Sequence, residues 1–345
     1  TDTLFRDNKL NPVNVNFGPF QFTNEEDFAS YKIPLNQGNN DVLRPAHTSY
    51  VVYQEGMYLG YKYTETRYED YVSNRENVGD FRYDDVVGYP FGYGLSYTTF
   101  DYSDVRVQKN GKTYTLTLTV KNTGEVSGKE AVEVYISKPY GEYAIKNGIQ
   151  VPSVELVDFG KTRLLSPGEE EKLTIDIDSK YFASYDANNA KTYVTMEGKY
   201  YLTPAKSAHD AINNILAKKG IDNEKIVGET GDASDVYAFE MGFDNYTYSV
   251  SQATGKPITN LFDFADINKY SGKGDNQVEY YSRENWNKVS LDMENGYVKL
   301  ELTKQMADEM LDQTPHGSSD YNMEQRPLPS DKEYYSTHKQ DYPLE

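Results

Sequence analysis

Carboxylates are the groups in this 345-residue chain best able to do chemistry, with 54 aspartates and glutamates against 35 lysines and arginines and no cysteine. Two carboxylates held a few ångströms apart can attack and protonate an acetal bond. No local motif sets up such a pair, so abundance does not designate a site and no catalytic residue is assigned. Glu65 and Glu69 flank Arg67, a spacing that a solvated ion-pair cluster explains. His47, His209, His316 and His338 are isolated, without the His-x-His or His-Glu-x-x-His spacing of a zinc site. His209 reads as a first-turn residue of a short helix. "GEVSGKE" at 124–130 has one residue too few between its glycines for a phosphate loop and lacks the Ser or Thr after Lys129. "DFADIN" at 263–268 lacks the glycine-centred loop and terminal glutamate of a calcium site, and reads as a polar turn. Asn245-Tyr246-Thr247 is a formal glycosylation acceptor. No metal and no cofactor is expected, and no substrate-binding residue is assigned.

The bulk properties narrow the partners. A net charge of −19 disfavours nucleic acid and anionic membrane, both of which draw affinity from lysine and arginine, whereas a neutral sugar is compatible with an acidic surface. The absence of cysteine excludes disulfides and thiolate nucleophiles. No run approaches the ~18 apolar residues of a membrane span, and the start of the chain has no signal-peptide core. These features favour the cytoplasm, and any export signal would lie outside this chain. Tyrosine outnumbers phenylalanine 33 to 14, which suits half-buried strands whose rings pack while their hydroxyls stay wet.

The elements that would position any site follow from periodicity. Residues 50–62 alternate, with Val52, Gln54, Gly56, Tyr58, Gly60 and Lys62 on one side of an expected strand and Val51, Tyr53, Glu55, Met57, Leu59 and Tyr61 on the other. In "KTYTLTLTVKNTG", Tyr114, Leu116, Leu118 and Val120 share a face; "EAVEVYIS" sets Val132, Val134 and Ile136 against Ala131, Glu133, Tyr135 and Ser137. "VELVDFGKTRLLSPGEEEKLTIDID" reads as strand, Ser166-Pro167-Gly168 turn and strand, with Leu173, Ile175 and Ile177 inward, and "GKYYLTPA" closes the set. The fold class is mainly β: part of an α/β sandwich over 1–98, an antiparallel β-sandwich over 99–206, and a largely irregular linker with short helices over 207–345. Ser207 caps an expected helix ending at Gly220, and "LTKQMADEMLDQ" predicts another through Leu302, Met306, Met310 and Leu311. The tail from 326 reads as extended, and its Leu-Glu end as a cloning remnant.

"YPFGYGLSYTTF" at 89–100 resembles the segment that, in glycoside hydrolase family 3, ends the α/β sandwich domain and leads into a fibronectin type III-like domain. "YQEGMYLGYKYTETRYED" at 53–70 is similar to a strand upstream of it, and "VKNTGEVSGKEAVEVYIS", "ELVDFGKTRLLSPGEEEKLTIDI" and "YFASYD" are similar to successive pieces of the fibronectin-like module, together spanning 50–204. "ATGKPITNLFDFADINKYSG" with "EYYSRENW" is similar to the linker of permuted members, whose (β/α)8 barrel follows these domains.

The resemblance implies a β-glucosidase-like retaining hydrolase of terminal β-linked sugars. Its nucleophilic aspartate would lie on the barrel and its acid/base glutamate early in the sandwich domain, and neither motif is found here. It also implies the partners: the remaining domains of the same enzyme, the barrel among them, and an oligo- or aryl-glycoside substrate. Glu55, Glu65, Glu69 and Asp70 lie in the segment resembling the domain that meets the active site, which makes them the candidates for a substrate contact or its support. Tyr89, Phe91, Tyr93 and Tyr97 are expected to wedge two domains together or, alternatively, to stack on a sugar ring. Residues 1–98 are expected to need covering by another segment or chain. The alternative is a stand-alone carbohydrate-binding or structural sandwich that presents Tyr140 and Tyr143 from the loop "KPYGEYAIKNGIQVPS".

Overall fold

A computed structural model describes residues 53–260, 268 and 277–287, together with the backbone of four short strands: β1 (Phe20–Gln21), β2 (Lys32–Gln37), β3 (Asn40–Pro45) and β4 (Ser49–Tyr50). The helix expected at 302–311, the extended tail and most of "DFADIN" lie outside the described residues. The chain divides into two compact units. One includes Pro12–Gln54 and Val250–Glu279; in it β1 pairs antiparallel with β4, and β2 with β3. The other includes Glu55–Ser249 and Tyr280–Val289 and holds the sites below.

Two antiparallel sheets form the centre of this larger unit. In one, β6 (Thr113–Asn122) pairs on either side with β5 (Phe100–Asn110) and β9 (Glu170–Asp178). The second runs β13-β12-β7-β8, with β7 (Ala131–Ser137), β8 (Glu155–Lys161), β12 (Gly198–Ala205) and β13 (Tyr237–Met241). A short hairpin, β10 (Ser184–Asp186) with β11 (Thr192–Val194), stands apart from both. The inner faces are the ones the alternation predicts: Tyr114, Leu116, Leu118 and Val120 meet Val132, Val134, Ile136, Ile175 and Ile177 in one core with Phe182, Tyr200 and Leu202. β13 is a strand that the sequence reading left within the polar stretch after Gly220. It pairs with β12 from Leu202↔Tyr237 to Gly198↔Met241.

Helices cover the outer face of the second sheet. α1 (Tyr61–Val72), α2 (Tyr83–Val86) and α4 (Ala208–Lys218) bury Tyr68, Val72, Tyr83, Val86, Ala211, Ile212, Ile215 and Leu216 against Tyr135 and Ala205. The sheet is therefore apolar on both faces, which is why Tyr135 is as buried as its inward neighbours. α4 begins as its sequence signals: the Ser207 hydroxyl oxygen accepts from the Asp210 backbone N–H at 3.1 Å and donates to the Asp210 carboxylate at 2.8 Å. Gly220, at φ 74, follows its end.

The expected strand over 50–62 is corrected for its described residues. Residues 54–57 form a turn, and α1 begins after Gly60, whose φ of 54 sets the corner. Alternating tyrosines and glycines imitated a strand, while the buried side of α1 carries charge and hydroxyls that hide its 3.6-residue period. The loop at 138–153 also holds a short helix, α3 (Glu142–Asn147).

Candidate functional site

α1 is polar in sequence and buried in the fold. Glu65 and Asp70 are 0% exposed, Arg67 4% and Glu69 5%, so the solvated ion-pair reading of these residues is wrong. Glu65, Glu69 and Asp70 take partners from distant parts of the chain, which periodicity along α1 cannot reveal.

Glu65 has donors of its own, whereas Glu69 and Asp70 share Arg283. Glu65 Oε1 accepts from the Tyr83 hydroxyl at 2.5 Å, and its Oε2 lies 2.8 Å from His209 Nδ1. Glu69 takes Lys219 Nζ at 2.5 Å on one oxygen and Arg283 Nη2 on the other. Asp70 Oδ1 accepts from Arg283 Nε at 2.9 Å and Nη2 at 2.8 Å, while Oδ2 accepts from Trp286 Nε1 at 3.0 Å and Asn77 Nδ2 at 3.1 Å. Burial alone would raise the Glu69 pKa, but the charges of Lys219 and Arg283 outweigh it and hold the carboxyl at about 2. Arg67 pairs with neither flanking glutamate; it donates to the Val78 carbonyl at 3.1 Å through Nε and to the Tyr63 hydroxyl at 2.5 Å through Nη1. Glu55 is buried in the turn before α1.

His209 stands in the first turn of α4 as expected, and its role there is a contact with α1 that the sequence did not signal. Burial lowers its pKa, yet the hydrogen bond and charge of Glu65 prevail and raise it above the ordinary 6.5. Burial also raises the pKa of three carboxyls outside the sequence candidates, Glu130, Glu133 and Asp235, the last to about 6. Glu130 accepts from the Tyr102 hydroxyl at 2.7 Å, and Glu133 accepts from the Tyr135 hydroxyl. Among the described residues no group of three or more His, Asp or Glu side chains could hold a metal ion.

The aromatic corner departs from the expected wedge. Phe91 stacks on Tyr61 at 4.7 Å, and its carbonyl accepts from the Ala208 backbone N–H at 2.9 Å. Tyr89 and Tyr93 stack on each other at 5.0 Å and are largely exposed, and Tyr97 is 96% exposed. Gly92, at φ 88, lets the chain turn with no Cβ to strike Glu133. In the loop at 138–153 the Tyr140 hydroxyl donates to Glu284 at 2.9 Å, and that of Tyr143 to Asp186 at 2.7 Å.

Residues 130–208 match the fibronectin type III-like domain family. Thermostable β-glucosidase B of Acetivibrio thermocellus is 28% identical over 187 residues, covering 53% of this chain and 22% of that protein. The exo-α-(1→6)-L-arabinopyranosidase of Bifidobacterium longum is 32% identical over 187 residues, 54% of this chain and 22% of its own. Over about half its length the chain is similar to part of family 3 β-glucosidases, the part that includes the fibronectin type III-like domain. A solved β-glucosidase 3B from Thermotoga neapolitana, in complex with α-D-glucose, is 30% identical and covers 63% of this chain and 23% of its own, with a TM-score of 0.39. The chain spans about a fifth of the length of these curated relatives, which are larger enzymes with additional domains. Its fibronectin-like match takes in β7 to β12 and the first residue of α4, whereas α1 and Tyr280–Asn287 lie outside it.

Proposed function

We propose that this chain forms a supporting, non-catalytic portion of a retaining glycoside hydrolase of β-glucosidase type, acting on terminal β-linked sugars. The observation that carries the proposal is the commitment of Glu65, Glu69 and Asp70 to internal partners. A retaining pair must face one sugar from about 5 to 5.5 Å apart, with one oxygen ready to attack. Carboxylates locked by arginine, lysine and tryptophan donors cannot do this. Their role is to brace α1 between α4 and the segment around Arg283.

In this reading residues 1–98 belong to the α/β sandwich domain, 99–206 to the fibronectin-like domain and 207–345 to the linker, with β13 lent by the linker to the sheet. The exposed rings of Tyr89, Tyr93 and Tyr97 supply apolar surface against which another domain of the same enzyme can pack, a (β/α)8 barrel following the linker among them. Incubation of the chain with an aryl β-glucoside tests the proposal. No turnover is expected; turnover abolished by a single carboxylate substitution within this chain would refute it.

A carbohydrate-binding role has one observation in its favour, the exposed Tyr89–Tyr93 stack. Calorimetric titration with oligosaccharides separates the readings. A saturable heat lost in Tyr93→Ala supports binding, and its absence supports the scaffold role.

A further inference from the structure

The segment Tyr280–Asn287 reaches its unit through groups that α1 and its neighbours keep away from water. Tyr281 stacks on Tyr63 at 5.2 Å. The Arg283 guanidinium is gripped by Asp70 and Glu69 and lies 5.2 Å from the centre of the Tyr140 ring. Trp286 donates to Asp70 and meets Tyr58 edge-on at 4.7 Å. The main chain of the segment is held too. The Arg283 N–H donates to Gln150 Oε1 at 3.0 Å, the Trp286 N–H donates to the Asn77 carbonyl at 3.2 Å, and the Arg283 carbonyl accepts from Asn77 Nδ2. These are the elements of peptide recognition: anchored aromatic and arginine side chains with the backbone held between them. They also act across 133 to 216 residues of sequence for the hydrogen bonds to Gln150 and Asp70, so nothing local imposes them.

We infer that the groove formed by Tyr58, Tyr63, Asp70, Asn77, Tyr140 and Gln150 is a peptide-binding site whose ligand is the Tyr281-x-Arg283-x-x-Trp286 segment, recognised by its own chemistry and not by its covalent tether. Asp70 is 0% exposed, and an emptied groove would leave it facing only Asn77 and, at 3.7 Å, Arg75. That cost favours occupancy at all times. The clasp would then fix the point from which the chain departs toward whatever follows residue 287.

Trp286 is the chain's single tryptophan, so its fluorescence reports the clasp directly. A protease site is introduced in the exposed turn at Gln252–Ala253 of the full chain, and the folded protein is cleaved there. In the cleaved protein the tryptophan emission is expected to stay blue-shifted. A dye-labelled synthetic peptide spanning residues 280–287, its binding read by anisotropy, is expected to displace the severed segment from the cleaved protein, and at about tenfold lower concentration in cleaved Arg283→Lys, which loses the bidentate grip. Separation of the fragments on cleavage, with emission moving to that of exposed tryptophan while the large fragment keeps its strand circular dichroism, would overturn the inference. So would equal displacement of the wild-type and Arg283→Lys segments.

Discussion

His209 Nδ1 sits 2.8 Å from Glu65 Oε2 while its Nε2 sits 2.9 Å from the Val227 carbonyl, so both ring nitrogens face acceptors. Val227 can only accept, which places a proton on Nε2, and a second proton must lie between His209 and Glu65. The rings of Tyr68 and Tyr83 pack around the imidazole at 4.7 and 4.1 Å, and Asp210 adds negative charge from α4 itself. α1 and α4 are joined through this shared proton.

The pH dependence follows with a definite sign. His209 has its pKa raised on folding, so its contribution is complete below about 6.5 and is lost as pH rises through the higher folded value. Urea midpoints measured from pH 6 to 9 should fall with a slope of up to about 1.4 kcal/mol per pH unit from this group. In His209→Gln that part of the slope should vanish; an unchanged slope would show that the contact does not titrate with folding.

Glu69 works in the opposite direction. Its folded pKa of about 2 lies below the ordinary 4.5, so its contribution is present above 4.5 and fades as pH drops toward 2. Glu69→Gln leaves part of the positive charge of Arg283 and Lys219 unanswered and should cost about 3 kcal/mol at pH 7. Chemical denaturation of both proteins at pH 7, 4 and 2.5 should show the gap closing on acidification.

Asn122, fully buried at the end of β6, uses every hydrogen-bonding position it has. Its Oδ1 accepts from the Thr98 hydroxyl at 2.5 Å and the Gly124 N–H at 3.1 Å, and its Nδ2 donates to the Val126 and Leu165 carbonyls at 2.8 Å each. Asn122→Ala should cost about 3 kcal/mol, and Asn122→Asp at least as much, since an oxygen would then face two carbonyls. Thermal unfolding of both variants checks the order.

Gly92→Ala forces a side chain into left-handed backbone at φ 88 and toward the Glu133 carboxylate, with the Lys206 carbonyl 3.0 Å from the new Cβ. A loss of about 1–3 kcal/mol is expected, with a change in near-ultraviolet dichroism as Phe91 leaves Tyr61. An unaltered melting temperature would mean that the corner can relax at no cost.

Legibility in the sequence tracked the source of burial. β6 and β7 were readable because Leu116, Leu118, Val132 and Val134 alternate with polar residues, and α4 because Ser207, Asp210 and Gly220 mark its ends. α1 was not, because what it buries is charge. Glu65, Glu69 and Asp70 could be named as candidates, but Lys219, His209 and Arg283 lie roughly 140 to 210 residues away, and only the fold brings them together. β13 escaped because Tyr237–Met241 is short and half-buried, with no full alternation to announce it.

β13 matters to anyone who shortens the gene. A product ending at Ile221, past α4 but short of β13, would strip the hydrogen-bonding rim of β12 from Gly198 to Leu202 and invite copies to zip together there. Yield in the soluble fraction should therefore drop at that cut and recover when the product is extended past Met241.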